Sequence, residues 1–171
     1  MRLVVGMSGS SGSIFGIRLL EVLKQAGTIE THLVVSKWAR AALEYETQHT
    51  LDDVYRLATK VYDVGDLDAA ISRRSFRTDG MIVAPCSGKS LSAITNARND
   101  NLLSRAGTMH LNEGRKLVLV LREASQSLTH VRLMRDATSS GAIVIPPQDV
   151  EGTVQRALEQ FSLATGLPAR S

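Results

Sequence analysis

Four stretches of the chain hold residues able to do chemistry. The first is Gly6-Met-Ser-Gly-Ser-Ser-Gly12, a run of glycines and hydroxyls. Small residues let backbone N–H groups close on an anion, and a helix starting there would add its dipole. The plainer alternative is a tight turn rich in small residues. Glycines at Gly6, Gly9 and Gly12 match a dinucleotide G-x-G-x-x-G poorly. The acid expected about 20 residues further on is replaced by Ser36-Lys37, the second stretch. The third, Pro85-Cys-Ser-Gly-Lys-Ser90, ends like a P-loop but lacks its first glycine. The fourth is Arg122-Glu123. Serine hydroxyls, a guanidinium and a Gly/Ser loop suit a phosphorylated cofactor if the fold brings them together.

Other reactive residues carry less. Cys86 is the only cysteine, which excludes a disulfide framework and a zinc cluster within one chain. No histidine can be paired with it from sequence, and a buried free thiol is its expected state. His32, His49, His110 and His130 show no metal-ligand spacing, and no carboxylate cluster suggests Mg²⁺. No metal site is expected.

The elements that must position these residues alternate. Apolar runs at Arg2–Met7, His32–Val35, Gly80–Ala84, Lys116–Leu121 and Ala142–Ile145 read as strands, with a short one at Val61–Tyr62. Between them, helical patterns run over Ser13–Gln25, Lys37–Glu46, Asp52–Thr59, Ser90–Arg98, Leu102–Asn112, Thr129–Ser139 and Val150–Ala164, with a brief turn of helix at Leu67–Ile71. Pro85-Cys-Ser87 should end the Gly80 strand. The tail beyond Gly166 should fray. The strands are continuously apolar, as in a parallel sheet covered on both faces. The predicted fold is α/β: a doubly wound parallel sheet, a flavodoxin-like or Rossmann-like three-layer sandwich, in one domain over 1–171. Ligands should then gather at the carboxyl ends of the strands, where all four stretches lie.

Composition bounds the function. With 171 residues, 43% hydrophobic and 22% charged, the chain is neither disordered nor a coiled coil. No apolar run approaches the ~20 residues of a membrane helix, and the N-terminus lacks a signal-peptide pattern. The net charge of +3 is dispersed and aromatics are only 4%, so no nucleic acid and no membrane partner is expected. The single cysteine suits a cytoplasmic location.

Taken in order, Gly6-Met-Ser-Gly-Ser-Ser-Gly-Ser13, Glu30-Thr-His-Leu-Val-Val-Ser-Lys37, Ser75-Phe-Arg-Thr-Asp-Gly-Met-Ile-Val83, Pro85-Cys-Ser87, Gly114-Arg-Lys-Leu-Val-Leu-Val120 and Arg122-Glu123 resemble the UbiX family of flavin prenyltransferases. The resemblance implies an enzyme that binds FMN in a flavodoxin-like sheet. It would transfer a dimethylallyl group from dimethylallyl monophosphate to N5 and C6 of reduced FMN. The product, prenylated FMN, would serve a UbiD-type decarboxylase. It implies flavin contacts at Gly9, Ser10, Ser11, Ser36, Ser87, Gly88, Lys89, Ser90 and Arg122. Catalytic roles fall to Glu123 and Ser11, and substrate-phosphate contacts to Arg122 and Arg156. It also implies a homo-oligomer, commonly a dodecamer, for which Trp38, Ala39, Ala41 and Ala42 would offer a helix face.

Two positions depart from the family pattern. Asn112 stands where members place a lysine, and the segment after Pro147 is short and lacks the family's tyrosine. The alternative function is an FMN-binding homologue without prenyl transfer, a flavin carrier or accessory subunit of an aromatic acid decarboxylase.

Overall fold

The computed structural model describes residues 1–9, 11–122, 127–146 and 148–163. Expectations at Ser10, Glu123 and Pro147, and for the tail beyond Gly166, lie outside the described residues. Six strands form one parallel sheet: β1 (Arg2–Met7), β2 (Glu30–Val35), β3 (Lys60–Tyr62), β4 (Gly80–Cys86), β5 (Lys116–Leu121) and β6 (Ile143–Ile145). Their spatial order is β3-β2-β1-β4-β5-β6. Seven α-helices connect them among the described residues: α1 (Ser13–Ala26), α2 (Lys37–Glu46), α3 (Leu51–Tyr55), α4 (Gly88–Thr95), α5 (Leu102–Asn112), α6 (Leu128–Ser139) and α7 (Val150–Glu159).

The strands are apolar throughout because both faces are covered. Leu3 and Val5 of β1, Ile82 and Ala84 of β4, and Val118 and Val120 of β5 join one core cluster with α1 and α7. The alternating residues Val4, Met81, Val83, Leu117, Leu119 and Leu121 join a second with α4, α5 and α6. Period-two geometry sends neighbours to opposite faces, so each residue is buried whichever way it points. Full burial of each such side chain contributes about 1.5–3 kcal/mol, which sets the register of the central strands.

Several elements differ from the sequence reading. The helix expected over Asp52–Thr59 is shorter, Leu51–Tyr55, because Thr50 and Asp53 form a capping box before it and turns follow at once. The turn expected over Leu67–Ile71 is a 3₁₀ turn at Ala70–Ser72. β4 does not stop at Ala84: it continues to Cys86, with its register against β5 shifting between Val83 and Cys86. Pro85 has no N–H to give the ladder. Its carbonyl instead accepts the Ser8 N–H at 3.0 Å and the Ser8 hydroxyl at 3.2 Å. α4 starts at Gly88 rather than Ser90, because Ser87 is its cap and accepts the Ser90 N–H at 3.1 Å. Of the helix face expected for Trp38, Ala39, Ala41 and Ala42, Ala39 alone turns away. Ala39 packs into the core with Leu43, whereas Trp38 and Tyr45 point outward, 63% and 93% exposed.

The strand order reverses between β1 and β4, since β1 connects toward β2 and β4 continues toward β5. Connections leave the ends of β1 and β4 in opposite directions and open a crevice between them.

Candidate functional site

That crevice is a small cleft open to solvent. Ser8, Gly9 and Ser11 after β1, and Cys86, Ser87 and Gly88 at the end of β4, form two sides. Leu121 and Arg122 at the end of β5, and His130 in the first turn of α6, complete the lining. The first two sides are stapled together by Ser8. Its hydroxyl accepts the Ser87 N–H at 3.0 Å while donating to the Pro85 carbonyl. Ser8 is 1% exposed, so this pairing holds β1 and β4 in fixed relation at the cleft floor.

Two glycines are dictated by close approach. Gly9 adopts φ +94°, and a β-carbon there would stand 3.0 Å from Ser87 Cβ. Gly12 adopts φ +85°, and a β-carbon would collide with Arg122 Cδ and stand 3.0 Å from its Nε. L side chains disfavour such backbone, so glycine lets the Arg122 side chain lie directly over the loop. Arg122 is exposed at the rim, with its charge available to a ligand.

The two helix N-termini nearest the reversal differ. Gly12 has no side chain with which to cap α1. Glu46, at the end of α2, supplies the cap: its carboxylate accepts the Gly12 N–H at 3.1 Å, the Ser13 N–H at 3.3 Å and the Ser13 hydroxyl at 2.8 Å. The anion seat expected from the Gly6–Gly12 run therefore already holds a carboxylate. At α4, Ser87 satisfies the Ser90 N–H, while the N–H groups of Gly88 and Lys89 have no acceptor among the described residues. An anion entering the cleft meets these donors and the positive end of the α4 dipole.

The structure thus brings together Gly9, Ser11, Ser87, Gly88 and Arg122 of the expected flavin contacts. Ser36 is not in the lining: its hydroxyl accepts the Ala39 N–H as the cap of α2, and its own N–H bonds Met7 O. Lys89 and Ser90 sit on the first turn of α4, outside the lining. Arg156, expected at a substrate phosphate, lies well along α7 and does not line the cleft. Asn112 is exposed at the C-terminal end of α5, just before β5 begins. It therefore stands at the edge where the strands start, opposite the cleft.

Ser8, Leu121, His130 and Glu46 were not legible as site residues. His130 had one available signal, its place in the first turn of the helix that follows the Arg122 strand end. Glu46 had none, because its partners lie more than thirty residues earlier. Cys86 lines the cleft floor but is fully buried, and desolvation pushes its thiol up to about 12. It is protonated at neutral pH and is no nucleophile there. Of the other histidines, His32 is buried between Glu30 and the Tyr62 hydroxyl, and His110 between Ala106 O and the Thr78 hydroxyl.

Known proteins share this architecture. The Flavoprotein family model matches residues 1–154. The flavin prenyltransferase UbiX of Thauera aromatica is 47% identical over 182 residues, covering 99% of this chain and 93% of the relative. That alignment is longer than the chain itself, so the relative carries residues that this chain lacks. A dodecameric FMN-dependent UbiX-like decarboxylase from Escherichia coli O157:H7 superposes with a TM-score of 0.95 at 41% identity, covering 100% of this chain and 99% of the other. AnUbiX in complex with FMN and dimethylallyl pyrophosphate also gives 0.95 at 41% identity, over 99% and 96% of the two chains. On a family match across most of its length and identity well above 40% to a full-length relative, the chain belongs to the Flavoprotein family and, within it, to the UbiX family.

Proposed function

We infer that the chain is a flavin prenyltransferase, joining a dimethylallyl group from dimethylallyl monophosphate to reduced FMN and releasing prenylated FMN. The observation that carries this is the cleft at the β1/β4 reversal, with Arg122 laid over Gly12 and open N–H groups at the start of α4. FMN fits the residues present. The two close glycines let Ser87 and Arg122 pack against the first loop, and the α4 donors with Arg122 suit a phosphate. Gly9, Ser11, Ser87, Gly88 and Arg122 would hold the flavin. Reduced FMN supplies the nucleophilic N5 and C6 positions that receive the isoprenyl group.

The chain's own residues position and stabilise. Cleavage of a phosphate ester without a metal places charge on the leaving phosphate, and a fixed guanidinium lowers that barrier most. Arg122 is the cation the cleft offers among the described residues. The Ser11 hydroxyl, at the mouth of the loop, would orient the ring or carry a proton to the leaving group. Glu123, next in sequence to Arg122, would accept the ring proton when the new ring closes. A UbiD-type decarboxylase would receive the product, and a cytoplasmic location suits that transfer. No helix among the described residues is long and apolar enough to cross a membrane.

The donor side of the cleft is thin. No residue of α7 lines it among the described residues, and Asn112 is at the opposite edge. A homo-oligomer whose neighbouring copy completes the site accounts for both facts, a dodecamer being the form of the Escherichia coli relative. The outward Trp38 and Tyr45 give such assembly an apolar surface. The second reading, FMN binding without prenyl transfer, is favoured by the same thinness, Arg156 included among the residues that do not line the cleft.

One experiment separates the two. Purified protein is incubated anaerobically with reduced FMN and dimethylallyl monophosphate, and the released flavin is weighed. A gain of one dimethylallyl unit supports the transferase. Unmodified FMN, bound tightly but never prenylated, supports the carrier.

A further inference from the structure

His130 lines the cleft, yet neither reading above gives it a part. It sits in the first turn of α6, where its ring faces the start of α4: a β-carbon on Gly88 would lie 3.8 Å from Nδ1 and 3.9 Å from Cε1. Nε2 is buried and has no hydrogen-bond partner among the described residues. A buried imidazole nitrogen without a partner is costly, and the cost is relieved when a polar ligand arrives. A half-turn about the Cβ–Cγ bond exchanges Nε2 with Cε1 and Nδ1 with Cδ2, so either orientation turns one ring nitrogen toward Gly88. That nitrogen can carry its N–H on the Gly88 side of the ring, at the start of α4, where the Gly88 and Lys89 N–H groups have no acceptor among the described residues. Arg122 lines the same cleft.

We propose that His130 is a phosphate-contacting residue of this cleft, donating an imidazole N–H to a phosphate oxygen seated at the start of α4. The chemistry is a phosphate monoester or diester oxygen, which can come from FMN or from the isoprenyl donor. The proposal rests on the flavin reading above.

The test titrates FMN and riboflavin, which differ by the phosphate, into wild type, His130→Phe and His130→Gln, following flavin fluorescence. The KM for dimethylallyl monophosphate is measured on the same proteins. His130→Phe keeps the ring shape and removes both nitrogens, while His130→Gln keeps a donor. Thermal unfolding checks that each variant is folded. Loss of one charge-assisted bond should raise the FMN Kd of His130→Phe about tenfold or more, with riboflavin unchanged and His130→Gln partly restored. That result assigns the contact to the flavin's phosphate. A rise confined to the KM for dimethylallyl monophosphate assigns it to the donor's phosphate. Equal losses for FMN and riboflavin would make His130 a packing residue and overturn the proposal, as would no change in any constant. Wild type that binds FMN separates failure of this proposal from failure of the flavin reading; wild type that binds no flavin overturns both.

Discussion

α1 and α4 both begin directly after a central strand, at the two sides of the same crevice, yet only one of them offers its N-terminus to a ligand. α1 follows the loop with more glycines and serines, the pattern that suggests an anion seat. Its first N–H groups, on Gly12 and Ser13, are already bonded to Glu46. α4 follows Pro85-Cys-Ser87, which lacks the first glycine of a P-loop, and its Gly88 and Lys89 N–H groups have no acceptor among the described residues. Glycine richness measures how closely a ligand can approach the backbone. Whether the backbone has donors to give depends on side chains that fold in from elsewhere. In this cleft the first loop supplies shape and the second supplies unpaired donors.

The strongest way to break this comparison is to fill the space the first loop leaves. Gly12→Ala forces an L residue at φ +85° and drives a methyl into Arg122. We expect a stability loss of about 1–3 kcal/mol from backbone strain. With Arg122 displaced as well, FMN affinity should drop about 100-fold. Flavin titration and thermal unfolding measure both, and tolerance of alanine would show that the loop does not shape the site. Arg122→Ala comes next. It should weaken FMN roughly tenfold or more while leaving the melting temperature unmoved, since the side chain is exposed at the rim.

The third prediction sets the helices against each other. Glu46→Ala removes the α1 cap and should cost about 1 kcal/mol of stability, with FMN affinity within about twofold of wild type. Ser87→Ala removes the α4 cap at a similar cost but disorders the donors, so FMN affinity should fall several-fold with it. Release of FMN by the Glu46 variant alone would reverse the assignment of the phosphate to α4. The smallest effect belongs to Cys86. Its thiol is held protonated up to about 12, so iodoacetamide at pH 8 should label it only after unfolding, and Cys86→Ala should leave FMN binding unchanged. Rapid labelling of the native protein would mean that the cleft floor is open to solvent.

Much of the molecule was legible one residue at a time. β1, β5, α2 and α5 fall at the expected residues, because continuous apolar runs and helical periodicity are local signals. Gly9, Ser11, Ser87, Gly88 and Arg122 meet in one cleft because each follows a strand end, and parallel strands put their carboxyl ends on one edge. Ser36 also follows a strand end, but β2 lies beyond β1 from the reversal, and its hydroxyl accepts the Ala39 N–H as the cap of α2. Arg156, expected from the resemblance alone, lies along α7 outside the lining that this chain's described residues form.

The sequence by itself determined the α/β class, the family and the edge of the sheet where ligands bind, since these follow from local periodicity and from strand ends. Only the tertiary structure decided which donors remain unpaired. Glu46 reaches Gly12 across more than thirty residues, Ser8 reaches Ser87 across nearly eighty, and His130 meets Gly88 across the cleft. The physical reason is that a hydrogen-bond donor is available only if nothing else in the folded chain satisfies it, and that is a property of the whole packing rather than of any segment.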